Sequence, residues 1–243
     1  MIVTVCSVKG SPGASTLAVA LAVADGWPQD VPPVMVEADP AGGDVSGWHA
    51  VADAPGLVTL AAQCRTGTAT LAEHASRLAC SAQVVVAPGG RPQATAAVEL
   101  LAATDVRLWS QDRTVLVDAG RWHPLSPAAP LMTAADVLLV VVRGDAGALK
   151  QAADARLPGN AALVVVGETV FPASEISAVL GAPVIAGVPL DRHGAAVLCG
   201  ARPPARGWRR VGLPAAARAL AEALLTDAAT RARLAQPVGG EWP

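Results

Sequence analysis

Seven short apolar runs, most of them rich in valine, recur along the chain: Ile2–Cys6, Val34–Glu37, Val84–Ala87, Val115–Val117, Val137–Val142, Leu163–Val166 and Val184–Val188. Each is too short for a helix and is flanked by Gly, Pro or Asp. Continuous apolar runs without alternation are the signature of strands buried on both faces. Between them lie Ala/Leu-rich stretches with helical periodicity: Ser15–Ala24, Leu57–Gln63, Pro92–Ala103, Ala146–Arg156, Ser174–Leu180 and Pro214–Leu225. This alternation predicts one α/β domain over residues 1–225, with a mostly parallel twisted sheet of about seven strands flanked by helices. Residues 226–243 are polar, end in Gly239-Gly240 and Pro243, and are expected to form a flexible C-terminal tail.

Composition removes several other classes. Of 243 residues, 52% are apolar, which excludes a disordered chain. The four cysteines, Cys6, Cys64, Cys80 and Cys199, form no CxxC pair and suggest neither a zinc site nor a disulfide framework. The first residues carry no positive charge and no cleavage signal, and no apolar run reaches about 18 residues. A cytoplasmic protein is the expectation. Lys9 and Lys150 are the only lysines; every other basic side chain is Arg. The Arg-for-Lys and Ala-rich bias resembles a high-GC coding preference, which makes each remaining Lys worth locating.

Ligands of a parallel sheet bind at the carboxyl ends of its strands. The segment after the first strand reads Lys9-Gly10-Ser11-Pro12-Gly13-Ala14-Ser15-Thr16 and leads into an apolar helix. Strand, Gly-rich loop and helix N-terminus form a phosphate cradle, because successive backbone N–H groups and the positive helix end face the anion. The lysine of the usual GKS/T ending is absent, and position 14 is Ala.

This segment resembles the deviant Walker A loop of the MinD/ParA family, KGGxGK followed by two hydroxyl residues. The resemblance implies a P-loop NTPase-like fold. In it Lys9 matches the signature lysine that reaches across a dimer to the partner's nucleotide. Gly10 and Gly13 match the loop glycines, Ser15 the magnesium ligand and Thr16 the next hydroxyl. Ser11 replaces a Gly, and Ala14 replaces the phosphate-loop lysine. A hydrogen bond from a charged donor contributes about 1.5–3 kcal/mol, so its loss weakens nucleotide binding roughly 10- to 150-fold. Slow or absent hydrolysis follows unless an Arg substitutes in space, and Arg91, Arg121 and Arg143 each follow a predicted strand.

Three further segments carry the resemblance. Glu37-Ala38-Asp39-Pro40-Ala41-Gly42-Gly43-Asp44 is similar to the family's switch I, where Asp39 matches the carboxylate that orients the attacking water and assists the metal. A turn and cap role is the plain alternative for Asp39. Val115–Gly120 is similar to a Walker B strand with switch II, and Asp118 would hold magnesium through water. Gly187-Val188-Pro189-Leu190-Asp191 resembles the strand end where Pro189, Asp191 and their backbone cup adenine. Gly167 stands where many members carry an adenine-binding Asn. The cofactors implied are ATP or ADP with Mg²⁺. The glycine–aspartate pair after switch I and the degenerate loop look most like the TadZ/CpaE branch.

Arg202, Arg206, Arg209 and Arg210 surround Trp208 in a stretch from Arg192 to Ala221 that holds six Arg and no acid. Three readings stay open: a solvated loop, a protein partner, or DNA phosphates. Strong membrane binding is not expected, since Arg231 and Arg233 are too few and Pro237–Gly240 would break an amphipathic helix. The resemblance implies a nucleotide-dependent dimerising switch that positions or regulates a partner assembly, such as a pilus or secretion apparatus, a chromosome or the division machinery. The alternatives are a pseudo-ATPase scaffold that docks partners without turnover, or a metabolic ATP-dependent enzyme on the same fold.

Overall fold

The computed structural model describes residues 1–9, 12–65, 70–105, 107, 109 and 113–226. Gly10, Ser11 and residues 227–243, including Arg231 and Arg233, lie outside the described residues.

The described chain forms one sheet of eight strands in the order β3-β4-β2-β5-β1-β6-β7-β8. The strands are β1 (Ile2–Ser7), β2 (Val34–Glu37), β3 (Ser76–Arg77), β4 (Gln83–Val85), β5 (Val115–Arg121), β6 (Val137–Arg143), β7 (Ala161–Val166) and β8 (Val184–Val188). The seven expected strands are all present. The eighth is β3, a two-residue strand that pairs antiparallel with the edge strand β4. Ser76 and Arg77 carry no apolar signal, so local sequence does not announce them. All other pairings are parallel.

The helices are α1 (Ala14–Ala22), α2 (Val45–His49), α3 (Leu57–Cys64), α4 (Leu71–His74), α5 (Arg91–Ala102), α6 (Ala129–Ala134), α7 (Ala146–Ala153), α8 (Ala173–Leu180), α9 (Arg192–Leu198) and α10 (Gly212–Thr226). Side chains of a strand point alternately to its two faces. Accordingly Ile2 and Cys6 of β1 enter one apolar layer, with α3, α5, α6, α7 and α8. Val3 and Val5 enter the other, with α1 and α10.

Helix α1 is apolar on every side, and Leu17 through Ala22 are all buried. Such a helix needs cover on both faces. The sheet supplies one cover. The other is α10, whose buried Leu213, Ala217, Leu220, Ala221 and Leu224 recur at helical spacing. The approach beside it is close: a Cβ at Gly26 would stand 2.6 Å from the Arg218 carbonyl oxygen. Strand β1, flanked by β5 and β6, therefore aims the following loop at the centre of the sheet's carboxyl edge. Among the described residues, no helix is long and apolar enough to cross a membrane.

Candidate phosphate and metal site

Gly13 ends the loop in the left-handed region, at φ 97°, and caps α1 without a side chain. A Cβ there would meet nothing within 4 Å, so backbone conformation rather than space calls for glycine. The first turn of α1 carries no acidic residue, which leaves its positive end for an external anion. Gly13, Ala14, Ser15 and Thr16 form one wall of a cleft of about 760 Å³. Asp39, Asp44, Trp48, Arg91 and Arg121 also line it.

Asp118 lies beneath this cleft on β5 and is fully buried. Its Oδ1 accepts from the Gly120 N–H at 3.3 Å. Its Oδ2 has no hydrogen-bond partner among the described residues. Burial raises its carboxyl to about 6; the Ser15 hydroxyl and the Gly120 N–H act against this, while the Asp39 and Asp44 charges add to it. A buried carboxylate oxygen without a donor, next to a serine hydroxyl, suits a hard divalent cation. The residues present therefore fit Mg²⁺.

Asp39 accepts the Ala41 N–H on Oδ1 at 2.7 Å, which forms the expected turn. Partial burial raises its carboxyl above the usual range, with Asp44 adding to the rise and the Ala41 N–H, Arg121 and Arg91 opposing it. Gly120, at φ 68°, lets β5 close on this carboxylate, since a Cβ at that position would overlap Asp39.

Glu37 does something its place in the motif does not announce. It is buried, and Oε1 accepts from Asp44 and Val45 at 2.8 and 3.0 Å while Oε2 accepts from Ala87 at 2.8 Å. Burial raises its carboxyl to about 7 against those three N–H bonds, and Asp118, its register partner across β2 and β5, adds to the rise. Glu37 thus bolts the Asp39–Asp44 loop to the end of β4. Gly43 lies against it, where a Cβ would overlap the carboxylate. The sequence carries no local signal for this role, since the Ala87 partner lies 50 residues away.

The three arginine candidates separate. Arg91 and Arg121 line the phosphate cleft. Arg143 instead lines a neighbouring cavity of about 650 Å³ with Val166, Gly167, Val188, Pro189 and Leu190. It stands 3.7 Å from Asp145, both side chains being largely exposed. Pro189 is therefore placed with Gly167 at the carboxyl ends of β6, β7 and β8. Asp191 is not in that cavity. Its Oδ1 accepts from Gly194 and its Oδ2 from Leu213, at 2.9 and 3.0 Å. Burial would raise this carboxyl, but those backbone donors and His193 lower it below the usual range. Asp191 is a strut joining the starts of α9 and α10. Asp191 also supplies the N-cap of α9. Exposed Lys9, at the end of β1, lines neither cavity.

The basic stretch is not one uniform patch. Arg209 pairs with Asp25 at 3.0 Å, donates to the Cys80 carbonyl at 3.2 Å and covers the Trp208 ring at 5.6 Å. It braces the fold. Arg202 approaches His193 at 3.5 Å, and Arg206 and Arg210 face solvent.

No protein-family model matches the chain, and no curated protein sequence matches it. Solved structures do. A ParA family ATPase from Chlorobium tepidum superimposes with TM-score 0.69 at 15% identity, covering 90% of this chain and 96% of that one. The cell division ATPase MinD of Pyrococcus furiosus gives 0.68 at 20% identity, with 92% and 98% covered. The chain has the MinD/ParA-like fold. A third neighbour is the septum site-determining protein MinD of Pyrococcus horikoshii complexed with Mg-ADP, at 0.67, 20% identity and coverage of 95% and 98%.

Proposed function

We propose that this chain is a MinD/ParA-like nucleotide-dependent dimerising switch that positions or regulates a partner assembly, with ATP hydrolysis weakened or absent. The observation that carries the reading is the buried, unpartnered Oδ2 of Asp118 beneath the uncapped start of α1. A charge in that setting is costly unless a cation completes it. The Mg-ADP held by the P. horikoshii neighbour supports a magnesium nucleotide as the ligand.

Ser15 and Asp118 would hold Mg²⁺, Asp118 through water. The backbone N–H groups of Gly13 to Thr16 would cradle the phosphates, and Pro189 would border the base. When bound, the magnesium nucleotide supplies an electrophilic phosphoryl group. Asp39 would hold the water that faces it, and Lys9 would reach the partner subunit's nucleotide. Ala14 offers a methyl where a P-loop lysine would carry charge into the transition state, so turnover is the function lost first. That same methyl favours the second reading, a pseudo-ATPase scaffold that dimerises without turnover.

Calorimetric titration with ATP, ADP and GTP, with and without Mg²⁺, separates the readings. Light scattering at saturating Mg-ATP supplies the mass. Mg-dependent micromolar binding with a doubled mass supports the switch. No binding and an unchanged mass refute it. Nucleotide-independent dimers would favour the scaffold.

A further inference from the structure

A polyphosphate needs cations, and the cleft already holds the carboxylates of Asp39 and Asp44, with Asp118 buried beneath it. The loop supplies no charge at Ala14. The guanidinium groups that line the cleft are those of Arg91 and Arg121.

Both sit on fixed backbone. Arg121 ends β5 in register with Ser7, the last residue of β1. The Trp122 N–H donates to the Ser7 carbonyl at 2.7 Å and secures that position at the mouth of the phosphate loop. Arg91 opens α5. The Thr95 hydroxyl, one turn on, donates to the Pro40 carbonyl at 2.8 Å and fastens α5 to the Asp39 turn. Gly42 tightens the same junction, since a Cβ there would come within 2.5 Å of the Gly89 carbonyl oxygen and 3.7 Å of the Arg91 nitrogen. Asp39 is under the electrostatic influence of both arginines. Guanidinium forks match phosphate oxygens in pairs and hold their charge at all accessible pH.

We infer that Arg91 and Arg121 together supply the phosphate-facing positive charge that the loop lacks at Ala14, so that the cleft grips a polyphosphate chain from its Asp39 wall. This rests on reading the cleft as a magnesium nucleotide site. It relocates charge from the loop to the start of α5 and the end of β5. Ligand binding then exchanges an Arg–Asp39 attraction for an Arg–phosphate one, so occupancy acts directly on the Asp39 turn.

The test is calorimetry with two probes, Mg-ATP and magnesium tripolyphosphate, the second lacking any nucleoside. Arg91→Ala and Arg121→Ala are each expected to weaken binding about 10-fold, and the double variant about 100-fold. Adding Ala14→Lys to the double variant restores about 10-fold or more. Arg143→Ala leaves tripolyphosphate affinity unchanged. Thermal melts confirm that the variants fold, and Arg→Lys versions retain part of the affinity. A double variant that binds as tightly as the parent overturns the inference while the nucleotide reading stands. A parent that binds tripolyphosphate but not Mg-ATP, with the double variant binding neither, supports the inference and removes the nucleotide. A parent that binds neither probe overturns both.

Discussion

Asp118→Asn is expected to make the ligand-free protein more stable and unable to answer Mg²⁺. Asp118 is fully buried, and its carboxyl rises from 3.8 to about 6, which corresponds to about 3 kcal/mol of native-state cost when it is ionised. The native state holds this proton more tightly than the unfolded chain does. The cost is therefore absent below about pH 3.8, grows as pH rises, and is complete above about pH 6. Asn removes the charge and keeps an oxygen for the Gly120 N–H. Its amide nitrogen is imperfectly matched in the buried site, which takes back about 1 kcal/mol. A net gain of about 2 kcal/mol at pH 8 raises Tm by about 4–8 °C for a domain of this size. The assay is thermal unfolding in chelator at pH 4 and pH 8, repeated at pH 8 with Mg-ATP. At pH 4 in chelator the gain is gone and the variant is the less stable by up to about 1 kcal/mol, and with Mg-ATP at pH 8 the parent rises while the variant does not. A variant no more stable than the parent at pH 8, or a gap that persists unchanged at pH 4, would refute the reasoning.

Four other changes probe separate parts of the molecule. Gly120→Ala puts a Cβ at φ 68° into Asp39; backbone strain alone costs about 1–2 kcal/mol, and calorimetry is expected to show weaker Mg-ATP binding together with a lower Tm. Asp191→Ala removes a cap that serves two helix starts and lowers stability by about 1–2 kcal/mol at pH 7. Because the native state depresses this carboxyl, the loss shrinks as pH falls below about 4, which urea titrations at two pH values would read. Arg209→Ala lowers stability by up to about 1 kcal/mol, in keeping with a half-exposed ion pair. Arg202, Arg206 and Arg210 changed together leave Tm unaltered, and duplex DNA anisotropy across a salt series then reads whether they carry phosphate contacts.

The positions of seven strands along the chain were legible because strands of a parallel sheet are apolar runs, and Val34–Glu37 and Val184–Val188 match their expected bounds. Strand β5 runs past its apolar stretch to Arg121, since Asp118 and Gly120 keep the ladder going while serving the cleft. Helices α2, α4, α6 and α9 were not visible in advance. Each is short, and tertiary packing and caps such as Asp191 hold it more than periodicity does. In the site, Gly13, Ser15, Thr16, Asp39 and Asp118 were named through the resemblance of their segments to the MinD/ParA motifs, and the fold brings the first four to one cleft with Asp118 beneath it. The bolt made by Glu37 and the strut made by Asp191 could not be named in this way, because their partners lie 50 and 22 residues away and only folding brings them together.

The cover that α10 lays over α1 also orders events during synthesis. Helix α1 leaves the ribosome long before the residues that shield its outer face, Leu213 to Leu224. Until then a nine-residue helix with no polar face has nowhere to hide from water or from other chains.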